Sequence, residues 1–528
     1  MNRKLFYKIL IGIASFALLI IIFTVIFLEP LLGKMIQTTL NKENTNYIFK
    51  IKRAHVLLPV LGLELQTIKI YSKQKHAGLP DLEGEIQSIK FKGINFSKAI
   101  FEKDIDVREI AVSGIRISGT MSFRKKSKKP VISSLNIRIG KVRYDKINME
   151  LKYDSTSKAY SVKEGLLTIY DLQINKKDTL TPGIFTKFDF EAKELISVSP
   201  DSMYSYKAQN ISFSTNSNKI AISNFSIHPN YTEYAFTAHY KYETDRIEAS
   251  FNKILISDFP VAGYLNSGNM ESSFIEIGKM DMKVFRDKRK VFRHVNKPEF
   301  QDMIYNYPGI IHIDSMRIKS GNVVYTEHAE RANKPGNINF NEINAKFYNI
   351  SNRKIFKSES AFLVFEGEAL LMGKGKMTVL LKAKIFDSFN TFSLSGTLAE
   401  MEVSELNPIL EKNAFLYVTS GKIDAMKYSF TANNTKASGN LILRYHGLNI
   451  ALKNKRTDDT TALKEKFNSL IANIKVVNAN PLPGKEVRTG TINYERDPEK
   501  FLLNYCYKSI LSGIKASISR KEMRKKKS

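Results

Sequence analysis

The chain has 528 residues, 43% of them hydrophobic, and its 81 Lys plus Arg against 52 Asp plus Glu leave a net charge of +29. That length is enough for two to four ordinary domains or one elongated one, with a large core. The single cysteine, Cys506, excludes an intramolecular disulfide and a cysteine-based metal centre, and the eight scattered histidines form no H-x-x-x-H pair.

The first element is an uncharged run, Ile9 to Leu28. As a helix of about 20 residues it spans about 30 Å, the thickness of a bilayer's hydrocarbon core. Arg3, Lys4 and Lys8 precede it, and Glu29, Pro30 and Lys34 follow. This bias expects a single-pass anchor with a cytoplasmic N-terminus and the long domain across the membrane. A cleaved signal peptide has a shorter apolar region and a small-x-small site, and Phe27-Leu28-Glu29-Pro30 is a poor one. The charge excess then points to an anionic lipid surface rather than nucleic acid, or to a lysine-rich solvated exterior.

A short helix is expected over Leu31 to Leu40. From about residue 47 the apolar residues alternate in short stretches, as in Phe188-Asp-Phe190, Ile311-His-Ile313 and Met426-Lys-Tyr428-Ser-Phe430. Period two places an apolar row on one face of a strand and a polar row on the other. Roughly two dozen such strands are expected. Helical patterns return near Val403 to Leu416, Thr461 to Ile471 and Pro498 to Ile518.

One phrase recurs. Ile115-Arg-Ile117 precedes Gly119-Thr-Met121, Ile137-Arg-Ile139 precedes Gly140-Lys-Val142-Arg-Tyr144, and Met316-Arg-Ile318 precedes Gly321-Asn-Val323-Val-Tyr325. The phrase reads as strand, glycine-assisted reversal, strand. So many strands must curl, split or close. Too few helices exist to cover their apolar faces. The sheet therefore folds on itself as sandwiches, or curls into a trough whose interior takes acyl chains. In a trough, Ile137, Ile139, Val142, Tyr144, Val323, Tyr325, Leu441 and Leu443 line the interior, while Arg138 and Arg143 face solvent.

No catalytic constellation is found: G-x-S-x-G, H-E-x-x-H and the P-loop are all missing. Gly373-Lys-Gly375 reads as a turn, Asp104-Ile-Asp106 as a solvated strand face, and Cys506 as a tucked apolar side chain. Three basic clusters stand out. Arg124 to Lys129 and Arg286 to Lys290 read as solvated loops. The third, Arg520 to Lys527, follows an amphipathic segment. There Phe501, Leu502, Tyr505, Leu511 and Ile514, with Arg524, Lys525 and Lys526, could lie on an anionic membrane surface. The alternative is a helix packed on the end of the domain, with a disordered tail.

Near the C-terminus, Phe392-Ser-Leu394-Ser-Gly396-Thr-Leu398 leads to Leu406-Asn407-Pro408-Ile409-Leu410, then Gly421-Lys-Ile423 and Gly439-Asn-Leu441-Ile-Leu443-Arg-Tyr445. Near the start, the apolar run is followed by Glu29-Pro30, Tyr47-x-Phe49-x-Ile51 and Leu61-Gly-Leu63-Glu-Leu65. In this order the motifs resemble the AsmA-like family of envelope proteins, which are related to bridge-like lipid transfer proteins. The likeness covers residues 1–120 and 310–518. It implies a mainly β protein with an N-terminal transmembrane helix, a large, elongated, curled antiparallel β-sheet forming an open groove, and a few short helices. It further implies non-enzymatic phospholipid transfer supporting outer-membrane homeostasis, without cofactor or metal. The corresponding plan is a cytoplasmic N-terminus (1–8), anchor (9–28), juxtamembrane helix (29–46), groove region (47–390), C-terminal β region (391–495), then amphipathic helix and basic tail (496–528). A structural or assembly factor that binds envelope proteins is the alternative. An envelope-modifying enzyme would lack a clustered acid, base or nucleophile.

Overall fold

The computed structural model describes residues 15, 18, 22–43, 46–73, 81–102, 104–121, 136–153, 158–175, 187–353, 362–452 and 476–519. Its 21 described strands belong to one mixed β-sheet, and the chain divides into two compact units, residues 1–222 and 223–528.

The first unit holds helix α1 (Glu29–Glu43) and strands β1 (Tyr47–Leu57), β2 (Gly62–Ser72), β3 (Asp81–Ile94), β4 (Ile105–Met121), β5 (Ile137–Tyr153), β6 (Lys158–Ile174), β7 (Lys187–Val198) and β8 (Tyr204–Ser214), with β9 (Lys219–Pro229) starting at its end. Strands β1 to β4 pair antiparallel in chain order, as do β5 to β8. The expectation of a wholly antiparallel sheet is corrected at β4 and β5, which run parallel from Ile105↔Ile137 to Met121↔Tyr153. Parallel neighbours need a crossover rather than a hairpin.

The recurrent phrase is also corrected. In each copy the glycine lies inside one unbroken strand, β4 or β5 here and β13 (Ile311–His328) in the second unit. In the second and third copies the phrase records a change of side-chain phase, from Ile139 to Val142 and from Ile318 to Gly321, while in the first Ile115, Ile117 and Met121 keep one parity. Along β4 the apolar residues are Ile105, Val107, Ile110, Val112, Ile115 and Ile117; along β5 they are Ile137, Ile139, Val142, Tyr144, Ile147 and Met149. The spacing is two, three, two, three, where simple alternation would keep two throughout.

Left-handed residues account for one three in each strand, Val112 to Ile115 at Gly114 and Tyr144 to Ile147 at Lys146. Thr67, Gly114, Lys146, Glu164 and Asn210 all have positive φ. The register aligns them: Thr67 lies opposite Gln87, Gln87 opposite Gly114, Gly114 beside Lys146, and Glu164 opposite Lys193, which faces Asn210. A second row runs through Gly93, Arg108, Gly140 and Asp171, with positive φ at Gly93 and Asp171. A bulge-like residue bends its strand and reverses the side-chain phase. Because neighbours change phase at nearly the same level, the pairing resumes beyond each row, with local register shifts between β5 and β6 around Ile147. At Gly114, φ is +68°, and an added Cβ would lie 2.2 Å from the Gln87 amide oxygen. Glycine is the residue that takes this backbone and leaves that space.

The second unit contains β10 (Asp245–Ser257), β11 (Met270–Ile277), β12 (Met280–Asp287), β13, β14 (Gly336–Ser351), β15 (Leu363–Leu371), β16 (Gly375–Ala383), β17 (Phe392–Leu398), β18 (Met401–Glu402), β19 (Leu416–Ala432), β20 (Lys436–Leu452) and β21 (Thr489–Glu495). Both β11 and β12 run parallel to β13. Short helices α2 (Glu233–Ala238), α3 (Val261–Ser267) and α4 (Phe300–Tyr305) join the strands, residues 403–414 are helical, and α5 spans Leu502–Ile518. Helix α5 packs on β20 and β21, closing a core of 21 buried side chains that includes Leu441, Tyr445, Ile492 and Tyr505. The helix expected over Thr461 to Ile471 lies outside the described residues.

Candidate functional site: an apolar face on strands β1 to β8

The apolar rows of β4 to β7 form one cluster on a face of the first unit. Ile139, Val142 and Ile169 are buried at its centre, with Ile110, Ile137, Tyr144, Leu167, Leu172 and Phe188 half-buried around them. All four groove positions expected on β5, namely Ile137, Ile139, Val142 and Tyr144, therefore belong to one cluster despite their differing parity. Burial pushes the Tyr144 hydroxyl above its ordinary value. Toward β1 the rows continue through Leu65, Ile68, Ile86, Ile89 and Phe91, and α1 adds Ile36. Among the described residues of this unit beyond residue 21, the helical segments are 22–43 and the short turns Leu58–Val60 and Lys98–Glu102. None is packed across β5 to β7.

The opposite face is polar. Arg138 and Arg143 are exposed there, as expected. Lys69, Glu85, Arg116 and Lys163 border a shallow cavity of about 610 Å³. Tyr170 donates a hydrogen bond to Asp189 at 2.9 Å, with the Lys141 ammonium 5.9 Å from its ring centre. Glu194 accepts from Lys163 and Lys207, each at 2.6 Å, which holds its carboxyl at about 2. Charges of both signs alternate here, so this face shows no bias toward an anion.

The remaining expected positions fall elsewhere. Val323 packs with Met280, Phe251 and Ile318 in a separate cluster of the second unit. Tyr325 donates to Glu327 at 2.6 Å. Leu441 and Leu443 are corrected from groove lining to closed core, at 0% and 5% exposure, because α5 covers them. Leu441 lies against Gly513, where an added Cβ would come within 2.9 Å.

Of the expected membrane-surface set, Leu502, Tyr505 and Ile514 are turned into the domain by the packing of α5. Tyr505 is buried and donates to the Asn433 carbonyl, and Leu502 and Ile514 pack against the core. Leu511 is half-buried and Phe501 is exposed. Arg524, Lys525 and Lys526 lie outside the described residues, as does the cluster Arg124 to Lys129. Helix α5 thus packs on its domain. Cys506 sits within it, and burial pushes the thiol up to about 12.

The cluster at residues 286–290 was expected as a solvated loop, and this too is corrected. Arg286 donates to Asp245 at 2.7 Å, and Arg289 forms two 2.8 Å bonds to the buried carboxylate of Asp287. Glu327 accepts from Tyr325, Lys288 and Asn413. Sequence alone gave no signal for these pairings, since the acidic partners are up to 41 residues distant.

Among the described residues, no cluster of three or more His, Cys, Asp or Glu side chains could hold a metal ion. Asp106 pairs with Lys98 at 2.8 Å and Asp104 accepts from Asn136 at 3.0 Å, so the two carboxylates take separate partners. The apolar run Ile9 to Leu28 lies largely outside the described residues. Among those described, no helix is long and apolar enough to cross a membrane. Comparison with protein-family models gives no match, and comparison with curated proteins gives none.

Proposed function

We propose that the apolar face of β1 to β8 binds phospholipid acyl chains, and that the protein carries lipid without chemistry while held at the inner membrane by residues 9–28, with its bulk in the periplasm. The observation that carries this reading is the aligned change of phase. It gathers apolar residues of β4 to β7 into one cluster, where uncorrected alternation would interrupt them with charges. A continuous apolar strip needs no directional bonds and suits a hydrocarbon chain, each buried methylene contributing about 0.8 kcal/mol. The half-burial of Ile137, Tyr144, Leu167 and Phe188 supports the same reading, since these side chains retain surface for a ligand. The resemblance to AsmA-like proteins points the same way.

The test is photo-crosslinking. A photoreactive residue at Ile139 or at Val142 should capture phospholipid, while one at Arg138 or Arg143 should not. Capture at one parity only, or equal yields at all four positions, overturns the assignment. Protein that purifies gently, remains stable and yields no lipid on extraction and mass spectrometry supports the alternative, an assembly factor of the envelope.

A further inference from the structure

The described loops at one end of the second unit's sheet carry a second apolar surface, built of projecting side chains instead of strand rows. Strand β10 ends there and β11, β13, β17 and β20 begin there. Tyr264 and Leu265 of α3, Met303 and Tyr305 of α4, Phe389 of the β16–β17 loop and Phe501 before α5 are all exposed. Met303 is 59% exposed, Phe389 63% and Phe501 51%.

These tips are fixed to one another. Gln301 donates to the Asn390 carbonyl at 2.9 Å, and Asn390 donates to Asp302 at 3.1 Å. The Asn434 N–H meets the Phe389 carbonyl at 2.9 Å. Tyr305 stacks edge-on to Phe386, with centroids 5.8 Å apart. Tyr307 donates to the Gly268 carbonyl at 2.7 Å, joining α3 to the segment after α4. The Lys297 N–H bonds to the Pro498 carbonyl at 2.8 Å, and its ammonium lies 5.4 Å from the Phe501 ring centre.

Several carboxylates at this end are engaged, Asp302 by Asn390, Asp387 by the N–H groups of Phe389 and Thr391, and Glu299 by Arg496 at 2.5 Å, while Asp258 and Glu495 are exposed. Lysines instead accompany the aromatic rings, Lys297 over Phe501 and Lys384 over Phe362. Large apolar tips beside snorkelling amines match the interfacial layer of an anionic bilayer.

We propose that this end of the second unit docks on an anionic lipid surface, with Met303, Tyr305, Phe389 and Phe501 entering the interface and Lys297 and Lys384 meeting the headgroups. This does not depend on lipid carriage by β1 to β8, and the crosslinking yields at Ile139 and Val142 report on that reading separately.

The experiment uses the full chain carrying Cys506→Ser, with a single cysteine introduced at Met303, Phe389 or Lys374 and labelled with a polarity-sensitive fluorophore. Lys374 is exposed at the opposite end of β16 and serves as the control. Each protein is reconstituted into vesicles of phosphatidylglycerol with phosphatidylcholine, or of phosphatidylcholine alone. Emission at 303 and 389 should rise on the anionic vesicles and be quenched by spin-labelled lipid, while 374 stays in water. Lys297→Glu with Lys384→Glu should weaken the anionic response by roughly tenfold or more and leave the neutral response unchanged. Rim labels that remain in water overturn the proposal, as does equal quenching at all three positions. A rise that follows protein concentration without vesicles assigns the surface to a second copy of the chain and overturns it as well.

Discussion

The side-chain amide of Asn41 pairs with both backbone groups of Phe49, accepting from its N–H at 2.7 Å and donating to its carbonyl at 2.9 Å. Three further residues of α1 recur at intervals of four. Gln37 accepts from the Ile51 N–H at 2.7 Å, Glu29 from the Val56 N–H at 2.9 Å, and Gly33 brings the helix against Ala54. Positions four apart share one helix face. That face therefore stands where another strand would lie and satisfies the outer edge of β1. An uncovered edge strand is a template for unwanted pairing.

Opening this edge should be measurable. Asn41→Ala with Gln37→Ala should speed amide exchange across Tyr47–Leu57 and destabilise the first unit by about 1–3 kcal/mol, the cost of unmet backbone groups. Hydrogen exchange followed by mass spectrometry checks it, and unchanged protection in β1 would show that the helix is dispensable there.

Gly114→Val should destabilise the chain by about 1–3 kcal/mol through its left-handed backbone, with further loss if Gln87 cannot move aside. Gly263→Ala, whose added Cβ has no neighbour closer than 3.9 Å, is the control. Thermal unfolding of the two variants should separate them clearly.

Truncation should distinguish the closed core from the half-buried apolar face of β5. Leu441→Ala empties a fully buried site beneath α5 and should cost about 2–5 kcal/mol. Ile137→Ala removes a half-buried side chain and should cost less, while reducing co-purified lipid. Denaturant unfolding combined with lipid extraction reads both. Equal stability losses with unchanged lipid would remove the distinction.

Acid should weaken the polar face. The two lysine hydrogen bonds hold Glu194 at about 2, against an ordinary 4.5. A carboxyl depressed in the folded state stabilises it above the ordinary value, and that contribution is lost as pH falls toward the folded value. Glu194→Gln should therefore lower Tm near neutrality, with the gap to the parent closing between about pH 5 and about pH 2. Exposure of Lys163 and Lys207 keeps the effect modest and salt-sensitive. Melting curves across that range check the sign. Glu276, held at about 2 chiefly by Arg317 and Lys319, should behave likewise.

Local periodicity determined most of the strands, because apolar spacing is a property of adjacent residues. It also carried the change of phase: the three-residue gaps from Val107 to Ile110 and from Ile139 to Val142 are written in the chain. Reading the neighbouring glycine as a reversal missed them, since Gly140 lies within the strand without positive φ. Helices α2, α3 and α4, of six or seven residues, were not legible for want of a full amphipathic repeat. Three things were decided only by the tertiary structure. The parallel pairing of β4 with β5 depends on a crossover that no local signal encodes. The burial of Leu441 and Tyr505 depends on α5 folding back over β20. The pairing of Arg286 with Asp245 and of Lys288 with Glu327 depends on strands that the sheet places side by side. Alternation says that a side chain has an apolar side to hide, but the partner that hides it is chosen by long-range pairing.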